Sequence, residues 1–258
     1  MAVTTHVSQA RTRVRAERTA VERRRDAFET FADRVRSLSP EPASGSVGVT
    51  AMAGTRTQSP ADTCRTVRTA FAETVRPHSV ADAEDDESLL ATIRAELTDS
   101  ITVALAPTTD SAFTPTLKRA ILSEVATRTA EADLLDHALD REATRLAAAA
   151  EDVDHITGWI AEADETPLST LDFESLADRH ATLADHRDRC SDVARKRQRF
   201  LRQTTRRGAE SGIDHQKIVS YLYQDFPVDH PVLATVARLD DACASCQRAV
   251  RDHLVRRA

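Results

Sequence analysis

Cys243 and Cys246 stand as C-x-x-C inside a segment of helical periodicity, so their sulfurs share one face. With Cys64 and Cys190 they make four thiols, and four thiolates at about 2.3 Å close a tetrahedral zinc site. That chemistry requires three helices to converge at one point. The competing reading is packing. Cys243 and Cys246 fall on 4-3 rungs, Cys190 continues the seven-residue row Leu176, Leu183, and a free cysteine packs as a small hydrophobe. A redox or disulfide role is a third reading. A thioredoxin-like one is disfavoured, because that motif sits at a helix N-terminus after a strand and this one is mid-helix.

A basic stretch is the second chemical candidate. Arg195, Lys196, Arg197, Arg199, Arg202, Arg206 and Arg207 follow one another with no acid among them. Such a run can neutralise phosphates. No aromatic platform is interleaved, and a solvated or internally paired face is the plainer expectation. The histidines show no HExxH and no pair at i, i+4 with a third ligand nearby. His180 and His186 flank the Cys190 seam. The stretch Tyr221 to Pro227 concentrates aromatics and reads either as a docking surface or as the closure of a bundle end, the second being favoured. No GxGxxG, GxxxxGK[ST] or GxSxG occurs, so no catalytic residue is assigned and the chain is expected not to be an enzyme.

The elements that would position these groups are helices. From Ile121 to Ala163 a 4-3 ladder runs Ile121, Val125, Arg128, Ala132, Leu135, Leu139, Glu142, Leu146, Ala149, Val153, Ile156, Ile160, Ala163. A repeat of 3.5 residues keeps one helix face turned toward a partner. Arg128 and Glu142 interrupt that seam. Either would be costly if buried alone, so the expectation is that they face each other's partners or pair with opposite charges and set register, or that the arginine snorkels its head to solvent. The ladder helix is predicted over about Pro115 to Ala163, capped by Thr114-Pro115. A second long helix is predicted over 172–206, with a seam of Phe173, Leu176, Leu183, Cys190, Val193 and Phe200. A shorter helix follows from about Asp214, and a last one from Pro231 carries Val232, Val236, Leu239, Cys243, Cys246 and Val250. Toward the N-terminus, Val7, Val14, Val21, Phe28 and Val35 recur every seven residues in a helix over 5–38. Its companion row, Ala10, Glu17, Arg24, Phe31, Leu38, is polar in the middle. Ser59-Pro60-Ala61-Asp62 is a good helix start, and one helix is expected to carry Leu89, Ile93, Leu97, Ile101 and Leu105.

Composition agrees. The 258 residues include only 6 glycines and 9 prolines, and aromatics make up 4 %, which suits narrow helical seams better than sheets. The fold class expected is all-α: an elongated antiparallel helical bundle with coiled-coil-like 4-3 seams. Three parts are expected: a helical arm over 1–38, a flexible linker over 39–58 that holds three of the glycines, and a bundle over 59–258. No stretch of 18 apolar residues argues for a membrane span, and Met1 to Ala10 lacks the apolar run of a signal peptide. A cytoplasmic location with reduced thiols is the default. The net charge of −6 argues against generalised nucleic-acid binding. Lys118, Lys196 and Lys217 are the only lysines, and aspartate exceeds glutamate, a balance typical of salt-adapted hosts.

The strings FTPTLKRAIL (113–122), ADETPLSTLDFESLADRHATLADHRDRC (163–190), YLYQDFPVDHPVLATVARLDDACASCQRAVRDHL (221–254) and ADTCRTVRTAFAETV (61–75) resemble a family of uncharacterised haloarchaeal helical proteins. The resemblance implies a halophilic archaeal host. It carries no activity, cofactor or catalytic residue. The expected role is therefore a non-enzymatic scaffold that binds a protein partner or itself through helix–helix packing. The alternatives are a nucleic-acid-associated protein using the basic stretch and a regulatory module stabilised by zinc on the four cysteines.

Overall fold

The 4-3 ladder becomes one helix of 50 residues. The computed structural model describes residues 5–41, 60–79, 88–109, 111–211 and 215–257, with the backbone alone for 60–62, 203–211 and 215. Eight α-helices follow in order: α1 (His6–Ser37), α2 (Pro60–Thr74), α3 (Leu89–Glu96), α4 (Asp99–Leu105), α5 (Pro115–Asp164), α6 (Phe173–Ser211), α7 (His215–Tyr223) and α8 (Pro231–Arg257). No strand occurs among the described residues, and the fold is an all-α helical bundle. Most of the predicted linker, from residue 42 to 58, and the acidic stretch 82–87 lie outside the described residues.

Local chemistry sets the helix ends. Thr114 Oγ1 accepts from the Leu117 amide at 3.2 Å and starts α5, and Asp172 Oδ1 accepts from the Ser175 amide at 2.8 Å and starts α6. One helix was expected across Leu89 to Leu105; two are present. Leu97 leaves helical geometry and Thr98 caps α4 by accepting from the Ile101 amide. The threonine–aspartate pair at 98–99 is an N-terminal signal strong enough to restart the helix.

The chain divides into two units, Met1–Glu17 with His137–Ala258 and Arg18–Asp136. In the first, residue pairs fix the directions. Arg187 meets Asp240 and the Gln247 side chain reaches the His180 carbonyl, so α6 and α8 run antiparallel. Glu142 meets Arg197 and Asp152 meets Arg189, so α5 and α6 do the same. Leu146, Val153, Leu176, Leu183, Val236 and Val250 are buried in this unit. In the second unit Phe28, Phe31, Phe71, Ile93, Leu105, Phe113 and Ile121 form the core, with Phe31 and Phe71 edge to face at 5.5 Å.

The ladder holds as a buried edge. Ile121, Val125, Leu139, Glu142, Leu146, Ala149, Val153 and Ile156 are buried, and Arg128, Ala132 and Leu135 are half-buried beside the division at 136/137. The helix expected over 1–38 is α1. Val7, Val14, Val21, Phe28 and Val35 are all buried within the chain, and α1 contributes to both units. Leaving those five side chains in water would forgo about 1.5–3 kcal/mol for each large one. The polar middle of the companion row does not prevent this. Glu17 accepts from the Tyr221 hydroxyl at 3.2 Å and Arg24 pairs with Glu96 at 2.6 Å.

Candidate functional site

On α6 the rungs continue the 4-3 spacing from Leu176 through Arg179, Leu183, His186, Cys190, Val193 and Arg197 to Phe200. Three rungs are therefore polar on an inward-facing row. Arg197 is the most deeply engaged. Its Nη1 donates to Glu142 Oε2 at 2.8 Å and its Nη2 to Oε1 at 2.7 Å. The Tyr223 hydroxyl donates to the same Oε1 at 2.7 Å. The side chains of Glu142 and Arg197 are 0 % and 4 % exposed, so this fork lies out of water. Phe200 closes one side, with the guanidiniums of Arg145 and Arg197 at 5.3 and 5.6 Å from its ring centre. Burial pulls the Arg197 pKa down, but the Glu142 contact outweighs it and leaves it raised. Burial, then Glu142, push the Tyr223 phenol up. At neutral pH the phenol is thus a donor and not a base.

This node answers the seam break at Glu142 as expected, by an opposite charge. Its partner Arg197 belonged to the predicted basic stretch, and that assignment is corrected: a guanidinium buried on a carboxylate cannot reach a phosphate. Arg195, Lys196, Arg199 and Arg202 are exposed, with Arg195 paired to Asp192. The side chains of Arg206 and Arg207 lie outside the described residues. Arg128, the other break, pairs with Glu124 at 3.1 Å and Glu131 at 3.0 Å, and donates to the Glu96 and Leu97 carbonyls that end α3.

A second buried carboxylate lies in the other unit. Glu96 accepts from Arg24 Nη2 and from the Ser79 hydroxyl, each at 2.6 Å. Its side chain is 4 % exposed while that of Arg24 is 35 % exposed. Arg24 Nε is buried with no hydrogen-bond partner among the described residues.

Cys64 belongs to one unit and Cys190, Cys243 and Cys246 to the other. Among the described residues no three Cys, His, Asp or Glu are grouped so as to hold a metal ion. Burial, reinforced by Cys243, raises the Cys190 thiol to about 12, and burial, reinforced by Cys246, raises Cys243 to about 11. Protonated, buried thiols behave as the small hydrophobes of the packing reading. His186 does more than flank the Cys190 seam. It is itself a rung, buried against Trp159 at 4.9 Å and His155 at 5.5 Å, with Nε2 unpartnered among the described residues. Tyr223 was the role that sequence reasoning missed. The aromatic stretch turns inward there, Phe226 stands edge-on at 5.3 Å, and Tyr221 stays 47 % exposed.

No helix among the described residues is long and apolar enough to cross a membrane. No curated protein and no solved structure matches the chain. A family model does match, over residues 5–247, which takes in both buried carboxylates and all four cysteines. The chain belongs to that family, described as a domain of unknown function (DUF7260).

Proposed function

We propose that this protein is a non-enzymatic scaffold of the cytoplasm of a salt-adapted host, and that it works by presenting helices in fixed register to a protein partner or to a second copy. The observation that carries this reading is the Glu142–Arg197–Tyr223 node. Its carboxylate, guanidinium and phenol are spent on one another across three helices, which is the use of buried charge that sets register rather than the use that moves protons. Exposed apolar residues supply a contact surface. Phe173 is 56 % and Val255 72 % exposed, and the antiparallel α6–α8 pair brings the start of α6 to the end of α8, where Arg257 donates to the Ser169 and Leu171 carbonyls. Light scattering on protein eluting from a sizing column, across a wide concentration range, tests self-association. The expected result is a concentration-dependent oligomer that Phe173→Asp with Val255→Asp returns to monomer. A strict monomer with both proteins removes the self-assembly reading.

A second reading keeps the exposed part of the basic stretch. Arg195, Arg199 and Arg202 stand at i, i+4 and i+7 on α6, which supports one phosphate-facing stripe. Binding to labelled duplex DNA would then fall with salt, and Arg199→Gln with Arg202→Gln would reduce the log–log slope by about 1.8. No binding at the lowest salt at which the protein stays folded removes this reading.

A further inference from the structure

Of the three polar rungs of α6, Arg197 has Glu142 and His186 packs on Trp159, while Arg179 makes one hydrogen bond among the described residues, from Nη1 to the Thr166 carbonyl at 3.1 Å. It lines a cavity of about 220 Å³ whose apolar wall is Trp159, Ile160, Leu183 and Val250. Asp164 lines the same cavity and is the last residue of α5, whose final turn holds no basic residue. A carboxylate at a helix C-terminus opposes the helix dipole, and both favour a cation at that end. Asp164 and Arg179 form no ion pair with each other or with any described residue. An open cleft with an apolar wall thus carries one positive and one negative group, Arg179 half-buried and Asp164 exposed at the rim, each without a charged partner among the described residues. Its volume exceeds one water's share of about 30 Å³ and falls below the roughly 300–1,000 Å³ of drug-sized sites.

We propose that this cavity is a binding site for a free apolar amino acid. Arg179 takes the carboxylate, Asp164 and the C-terminal end of α5 take the ammonium, and Trp159 with Leu183 and Val250 take the side chain. A bidentate guanidinium–carboxylate contact gives the orientation. The site rests on this cavity alone and does not depend on the scaffold reading.

Trp159 is the chain's single tryptophan, so intrinsic emission reports on the cavity. Cys246 also lines it and is the one cysteine that is not fully buried. The full-length protein is titrated with L-leucine while Trp159 emission and the rate of Cys246 alkylation are followed. The expected result is a saturable emission change and slower alkylation with the same half-saturation. 4-Methylpentanoate, which lacks the ammonium, and 3-methylbutylamine, which lacks the carboxylate, should each bind about tenfold more weakly, because each forfeits one of the two charge-assisted contacts. Arg179→Gln removes the guanidinium, and the hydrogen bond to the Thr166 carbonyl that goes with it is solvent-exposed. The substitution should weaken leucine binding by about tenfold with an unchanged melting temperature. The proposal is overturned by no saturable response to leucine. It is equally overturned by equal binding of the three compounds, which would mean a greasy cleft without head-group recognition, or by Arg179→Gln binding like the parent protein.

Discussion

Among the described residues each unit buries one carboxylate on a helix, Glu142 in one and Glu96 in the other, and they treat it differently. Glu142 meets a guanidinium through a two-pronged fork, receives a phenol as a third donor, and is covered by an aromatic ring, with both ionic partners out of water. Glu96 meets its guanidinium through one nitrogen, takes a serine hydroxyl on the other oxygen, and leaves a third of the Arg24 side chain in solvent. A buried ion pair repays its desolvation only when geometry is good and the remaining lone pairs are filled. The first node meets that condition. The second relies on water to solvate half of the pair. Burial of a charge is therefore a poor guide to its energetic role unless the partner's exposure is known as well.

That contrast predicts unequal costs. Glu142→Ala leaves Arg197 buried and unpaired, and should cost about 3–5 kcal/mol in a denaturant titration. Glu142→Leu together with Arg197→Met should recover much of that loss, because a dry apolar pair replaces a stranded charge. Glu96→Gln keeps an acceptor and leaves a cation that can turn to water, so the loss should be about 1–3 kcal/mol. Equal losses at the two sites would break the comparison. Salt sharpens it: going from 0.1 to 1 M shortens the screening length from about 10 to 3 Å, which should shrink the cost of Arg24→Ala and leave that of Arg197→Met unchanged.

His186 extends the argument to pH. Burial first, then His155 and Arg189, lower its pKa, against the opposing pull of Asp185. The unfolded chain therefore takes up the proton before the folded one does. Stability should be intact above the unfolded value of about 6.5 and should decline as pH falls from there toward the folded value. His186→Phe should flatten that part of a melting-temperature profile. An unchanged slope would mean that the ring is not held neutral by its site. The smallest effect concerns thiols. At pH 8 iodoacetamide should modify Cys246 alone in the folded protein, because Cys64, Cys190 and Cys243 are buried and their thiols are raised by burial. Mass spectrometry of peptides reads this directly, and rapid labelling of Cys190 or Cys243 would contradict the packing role.

Much of the fold was readable because a helix seam is a local, periodic signal. Pro115 as a start and Ala163 as an end for the ladder helix fall within a residue of α5, since Thr114 caps and Pro167 breaks on their own. The break between α3 and α4 was also written in the chain, at Thr98-Asp99, but the longer apolar row hid it. Arg197 was readable in part. It stands four residues after Val193 and three before Phe200, on a rung, yet its basic neighbours drew it into a surface stripe. Tyr223 was not readable as its neighbour. The phenol lies 81 positions from Glu142, and nothing in local spacing reports a contact over that separation.

Residue order alone determined that this protein is helical, where most helices begin and end, and which face of each turns inward, because caps and a 3.5-residue period act over a few residues at a time. Only the tertiary structure decided which rung meets which: Arg197 with Glu142, His186 with Trp159, Arg179 with an open cleft. The reason is physical. A seam specifies a face but not a partner, and partner and register are chosen by charge pairing and side-chain fit between segments far apart in the chain.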